Sequence, residues 1–160
     1  MKYGGPELLG PDHGVEEFDC GIPALSEWLR RRAPTNQRSG TSRTWVVVDE
    51  SNRVAGYYAS ATASLIRARA TGRASRNQPD DIPAVLLARL AVDLRHQGRG
   101  LGTALLKHFV LKALDVASLV GVRLLLVHAK DDIAHSFYLK HGFQPSPLDE
   151  LTLMKLITDI

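Results

Sequence analysis

Apolar positions along this chain alternate between helical spacing and short unbroken runs. Leu25, Trp28 and Leu29 share one face of a helix that starts near Ile22, with Pro23 in its first turn. Leu105, Leu106, Phe109, Val110 and Ala113 mark a second amphipathic helix, and a third surrounds Tyr138. Between them, Thr44 to Val48, Val54 to Ala63, Val85 to Val92, Arg123 to Ala129 and Leu151 to Leu156 are branched and aliphatic, which predicts strands. Asp49 to Arg53 forms a turn, Ile66 to Pro83 a long connection, and Pro145 and Pro147 precede the last strand. Strands first, then strand-helix-strand-helix-strand, predict an α/β fold around a mixed sheet.

The segment joining the Val85 to Val92 strand to its helix reads Arg95-His96-Gln97-Gly98-Arg99-Gly100-Leu101-Gly102-Thr103. Glycines at a helix N-terminus let backbone approach an anion closely, and the unpaired N–H groups and helix dipole attract it. The spacing excludes a Walker A loop, which needs Lys then Ser or Thr, and the dinucleotide fingerprint G-x-G-x-x-G. It fits R/Q-x-x-G-x-G/A at Arg95, Gly98 and Gly100, and so resembles the coenzyme A loop of the GNAT N-acetyltransferase superfamily.

Downstream, Asp131-Asp132-Ile133-Ala134-His135-Ser136-Phe137-Tyr138-Leu139-Lys140-His141-Gly142-Phe143 is similar to the GNAT segment N-x-x-A-x-x-F-Y-x-K-x-G-F. It matches at Ala134, Phe137, Tyr138, Lys140, Gly142 and Phe143, with Asp131 in place of the leading Asn. Gly142 is the expected stop of this helix. The resemblance implies a central twisted sheet with splayed middle strands and helices on both faces. It also implies acetyl-CoA as cosubstrate and Tyr138 as the proton donor to the leaving thiolate. Backbone of Leu90, Ala91 and Val92, freed by a bulge, would receive pantetheine and the thioester carbonyl. Coenzyme contacts are expected from these three, from Arg95, Gln97, Gly98, Arg99, Gly100, Leu101, Gly102 and Thr103, and from Asp131, Ala134 and Phe137.

The chain has 160 residues, 44% of them hydrophobic, enough for one domain spanning 1–160 with a real core. No apolar stretch reaches membrane-spanning length, no signal-peptide pattern opens the chain, and a lone Cys20 excludes an internal disulfide; the expected location is the cytoplasm. Cys20 has no recognisable catalytic partner and reads as a packing residue. The six histidines show no metal-ligand spacing, so no metal is expected.

Charge is unevenly placed. From Arg30 to Pro79 there are ten arginines, no lysines, and only Asp49 and Glu50 as acids. Arginine forks suit phosphates. The N-terminal half, Phe18-Asp19-Cys20-Gly21, Leu25, Trp28-Leu29-Arg30, Gly40-Thr41-Ser42-Arg43-Thr44 and Gly56-Tyr57-Tyr58, resembles the GNAT toxin branch of TacT and AtaT type. That resemblance implies acetylation of the α-amine of aminoacyl-tRNA, a ribbon-helix-helix antitoxin, and tRNA contacts from Arg30, Arg38, Arg43, Arg73 and Arg76. It leaves open a homodimer. Two other readings stand beside it: a GNAT enzyme acting on a protein N-terminus or small amine, and an inactive nucleic-acid-binding module. An arginine-only face argues against a cleft for cationic amines, and the intact loop and Tyr138 argue against an inactive module.

Overall fold

The computed structural model describes residues 2–160. Its elements are β1 (Gly4–Leu8), α1 (Pro23–Arg31), α2 (Ala33–Ser39), β2 (Arg43–Val48), β3 (Val54–Ile66), α3 (Gly72–Ser75), β4 (Asp81–Val92), α4 (Leu101–Ala117), β5 (Leu124–His128), α5 (Asp132–Lys140), β6 (Gln144–Pro145) and β7 (Thr152–Leu156). The strands make a mixed sheet in the order β1-β2-β3-β4-β5-β7-β6, as an α/β reading expects. Packing gathers into two compact units, one of residues up to Ala61 with Ala88–Phe109, the other of Thr62–Leu87 with Val110–Ile160.

In the first unit, β2 and β3 pair antiparallel across a turn that Asp49 builds by accepting from the amides of Ser51 (2.8 Å) and Arg53 (3.0 Å). Their register sets Val46 opposite Tyr57 and Trp45 opposite Tyr58, so strand alternation sends the two tyrosines to opposite faces. Tyr57 packs against Phe18 and Trp28 and donates its hydroxyl to the Leu25 carbonyl at 2.7 Å, which fastens α1 to that face. Leu29, Val46 and Ala91 complete this core. Tyr58 meets His108 Nδ1 at 2.8 Å and the Phe109 ring, so the first half of α4 covers the other face. Gly56 permits that approach: a Cβ there would lie 3.0 Å from Leu105 Cδ1 and 3.3 Å from the Ala91 carbonyl oxygen.

In the second unit, Ala84–Leu87 of β4 run parallel to Leu124–Val127 of β5, and β5 pairs antiparallel with β7. All four of those β5 residues are buried, hence the continuous apolar run in a strand covered on both faces. Leu65, Ile82, Leu124, Leu126, Met154 and Leu156 share one core cluster. The Arg123 guanidinium donates to the carbonyls of Ala74 (3.3 Å) and Arg73 (3.1 Å) and so holds α3.

Several boundaries differ from the sequence reading. β3 continues to Ile66 and β4 begins at Asp81, so the connection between them is shorter than expected and carries α3. Pro83 sits inside β4, where an apolar-run criterion reads a loop. The helix α2, with the sequence APTNQRS, has no apolar period; Pro34 in its first turn and Gly40 at φ +82° mark its ends instead. The short strands β1 and β6 likewise lack an apolar run and are held by pairing with β2 and β7.

Candidate active site

The glycine loop begins with a buried carboxylate. Asp93, 1% exposed, caps the single turn Leu94–His96. It accepts from the amides of Asp19 (3.0 Å) and Arg95 (2.9 Å) and from Arg95 Nε (3.0 Å) and Nη2 (3.2 Å). Burial pushes this carboxyl up, but the Arg95 guanidinium and the two amides outweigh it and hold Asp93 below the usual carboxylate range. Asp93 was not among the expected site residues, although an Asp directly after an apolar strand and before a helical turn is a capping signal.

This arrangement gives Arg95 and Gln97 structural partners. The Arg95 fork is turned onto Asp93, with Glu17 3.9 Å away, and Gln97 Nε2 donates to the Val92 carbonyl at 3.0 Å. Both side chains tie the loop to its own strand. Gly98 and Gly100 have φ of +78° and +81°, and a Cβ at either would meet nothing within 4 Å. Backbone conformation, not crowding, therefore requires glycine here, and the space beside it is open. Leu101 opens α4, with Gly102 and Thr103 in its first turn, where amides have no partner within the helix. Arg99 is exposed on the loop. Leu90, Ala91 and Val92 lie beyond the last β4–β5 pair, Leu87 with Val127. An exposed loop of free amides at the positive end of a helix fits a pyrophosphate.

Tyr138 is set by both ends of α5. At the start, the Asp131 carboxylate accepts from the Ala134 amide at 2.9 Å, a cap that Asp makes as well as Asn does. At the end, Phe143 N–H donates to the Tyr138 carbonyl (3.1 Å) and Gly142 N–H, at φ +89°, to the Leu139 carbonyl (3.0 Å). This is a Schellman motif, completed by the Tyr138–Phe143 ring contact. The ring of Tyr138 also meets Phe137 edge-on at 5.2 Å. Tyr138 is 6% exposed, and its hydroxyl has no hydrogen-bond partner among the described residues. Burial pushes the phenol well above the usual tyrosine range, so it holds its proton at neutral pH.

The arginines divide by partner. Arg30 donates to the Phe18 carbonyl (2.7 Å) and Arg43 to the Gln37 carbonyl (2.7 Å). Nη1 and Nη2 of Arg73 both donate to the Asp159 carboxylate, Nη2 at 2.7 Å. Arg38 is exposed, with only a long 3.5 Å contact to Thr35. The exposed Arg76 guanidinium has no ion-pair or hydrogen-bond partner among the described residues. Cys20 is buried beside Ser26 Oγ, as a packing residue should be.

Residues 40–145 match the acetyltransferase (GNAT) domain model. Over 157 residues, 98% of this chain and 94% of the relative, the sequence is 43% identical to a tRNA-acetylating toxin of Mycobacterium tuberculosis (strain ATCC 25618 / H37Rv). Among solved structures, AtaT complexed with acetyl-methionyl-tRNAfMet superposes with a TM-score of 0.88 at 28% identity, over 96% of this chain and 94% of that one. A tyrosine-to-phenylalanine mutant of the AtaT toxin, bound to the C-terminus of the antitoxin AtaR and acetyl-CoA, gives 0.80 at 27% identity over 96% and 92%. With a domain match over residues 40–145 and 43% identity along nearly its whole length, the chain belongs to the GNAT acetyltransferases.

Proposed function

We propose that this protein moves the acetyl group of acetyl-CoA onto the α-amine of aminoacyl-tRNA, as the cytoplasmic toxin of a pair whose antitoxin is a ribbon-helix-helix protein. The observation that carries the reading is the likeness to a tRNA-acetylating toxin along nearly the whole chain. The described residues include no helix long and apolar enough to cross a membrane. The chain acts as one GNAT domain.

The loop Gly98 to Thr103 holds the coenzyme pyrophosphate on the free amides of α4, with Arg99 adding charge. Backbone N–H near Val92 receives the thioester oxygen as it gains charge. The neutral α-amine attacks the carbonyl carbon, the C–N bond forms, and the C–S bond breaks. The amine loses its proton to water, and the sulfur takes the phenolic proton of Tyr138. Burial keeps that phenol protonated, and the same low-dielectric surroundings raise the proton affinity of a leaving thiolate. An α-amino group has a pKa of about 7.7–8.0, and an ester neighbour lowers it, so no strong base is needed.

Gly100→Val tests the loop. The side chain has room but the backbone does not favour it, so the variant is expected to fold while losing about 5- to 150-fold in acetyl-CoA affinity, as strain of about 1–3 kcal/mol implies. Unchanged calorimetric affinity in the folded variant removes the loop from the coenzyme site.

For the acceptor, purified protein with labelled acetyl-CoA and a pool of charged tRNAs should place label on aminoacyl-tRNA. Label confined to protein N-termini or polyamines rejects the reading. Of the five arginines expected to meet tRNA, Arg38 and Arg76 are the exposed and essentially unengaged ones. Each of Arg38→Ala and Arg76→Ala should weaken tRNA binding and reduce its salt slope by about 0.7–0.9. Removing Arg73 also breaks its contact with Asp159, so its effect on tRNA should be mixed with lost stability.

A further inference from the structure

The coenzyme loop has an anchor that comes from the far end of the chain. His96, 5% exposed, sits two residues before Gly98 in the turn that Asp93 caps. Its Nδ1 shares a hydrogen bond of 2.9 Å with the Tyr3 hydroxyl, and the two rings meet edge-on at 5.5 Å and 78°. Tyr3 immediately precedes β1, which the pairs Gly4 with Val48, Glu7 with Val46 and Leu8 with Trp45 bind to β2. The main chain before Tyr3 is also held, since the Lys2 amide donates to Glu50 Oε1 at 3.1 Å. A fixed strand therefore carries the phenol to the imidazole, 93 residues away in sequence.

Nothing packs where Cβ atoms would stand at Gly98 or Gly100, so the loop's conformation rests on tethers at its entrance. The turn before it is held by the Asp93 amide on the Ala55 carbonyl (2.8 Å), by Asp19, whose amide donates to Asp93 and whose carbonyl accepts from the Leu94 amide (2.9 Å), by Arg95 on Asp93 and by Gln97 on the Val92 carbonyl; His96, nearer the glycines, is held by Tyr3. The contacts of Arg95 and Gln97 are local, joining residues two and five apart and tying the loop to its own strand. The contact with Tyr3 fixes the loop against the β1 end of the sheet.

We infer that Tyr3 and His96 are positioning residues that preorganise the glycine loop for acetyl-CoA, so that the N-terminal strand sets the affinity for the coenzyme without touching it. The inference rests on the coenzyme reading of the loop. Preorganisation acts by lowering the ordering cost of binding, and it should appear in binding of the coenzyme and not in the chemical step.

The test is a double-mutant cycle on the full-length protein, with Tyr3→Phe, His96→Phe and the pair, read by acetyl-CoA calorimetry and by kinetics. Tyr3→Phe keeps the ring and removes only the hydroxyl. It is expected to raise the Kd and KM for acetyl-CoA about 3- to 10-fold, the worth of one hydrogen bond, with kcat and the KM for aminoacyl-tRNA unchanged. His96→Phe should do the same, and the double variant should be no worse than either single one. Independent, additive losses overturn the inference, as does a Tyr3→Phe affinity equal to wild type, or a kcat that falls in step with affinity. Should His96→Phe fail to fold, the Tyr3→Phe measurement decides alone. Wild-type protein that binds no acetyl-CoA overturns the coenzyme reading itself, and this inference with it.

Discussion

Tyr138→Phe is expected to lower acetyl transfer about 10²- to 10⁴-fold, the usual worth of a general acid, while acetyl-CoA binding and thermal stability stay close to wild type. Two observations set this expectation. The hydroxyl has no partner among the described residues, so its removal strands no donor or acceptor. The ring contacts with Phe137 and Phe143, and the backbone motif that ends α5, do not involve the oxygen. Loss of rate with an intact fold is then loss of the proton itself. The check is single-turnover acetylation of charged tRNA, with melting curves on the same preparations. A variant that keeps more than about a third of the wild-type rate, against an expected loss of at least about 10²-fold, makes Tyr138 a packing residue only. Because burial raises the phenol pKa, wild-type rates should rise with pH as the amine deprotonates and show no alkaline decline below about pH 10.

Asp93→Ala should have the largest effect on stability. The change leaves the part-buried amides of Asp19 and Arg95 without their acceptor, at up to about 1–3 kcal/mol for each to the extent that water cannot reach it. Arg95, with its side chain half exposed, returns to solvent and adds little. A total of about 2–4 kcal/mol corresponds to a fall in Tm of about 5–15 °C in a chain of this size. Acetyl-CoA affinity should fall with it, because the turn that starts the glycine loop loses its cap. The pH dependence has a definite sign. A carboxyl whose folded pKa is depressed contributes stability above its unfolded value, and loses it as pH falls through the folded one. The gap between wild type and Asp93→Ala should thus be full at neutral pH and close only below about pH 4. Denaturant titrations at pH 7 and pH 3 measure this; an equal gap at both pH values would mean that Asp93 acts through packing and not through charge.

Much of the candidate site could be read from the sequence because its chemistry is local. The glycines before α4 and the Gly142 stop depend on a few consecutive residues, and each stands where the pattern placed it; the Asp131 cap is equally local, although the family resemblance presents Asp131 only as a coenzyme contact. The strands Arg43–Val48, Leu124–His128 and Thr152–Leu156 follow from branched apolar runs within a residue or so, since burial in a sheet selects those side chains. The same locality makes β1, α2 and the start of β4 illegible: their residues carry no apolar period, and distant pairing or packing holds them in place.

What the tertiary structure decided is which side chain meets which. The resemblance gives Arg95 and Gln97 as coenzyme contacts and Arg73 as a tRNA contact; in the fold each also has a protein partner, Asp93, the Val92 carbonyl and Asp159. Arg73 and Asp159 are 86 residues apart and Tyr3 and His96 are 93 apart, and no periodicity encodes such pairs. Residue type fixes what a group can donate or accept, and composition and spacing report that from the chain alone. Whether the group is still available depends on neighbours that only chain folding brings within hydrogen-bond reach.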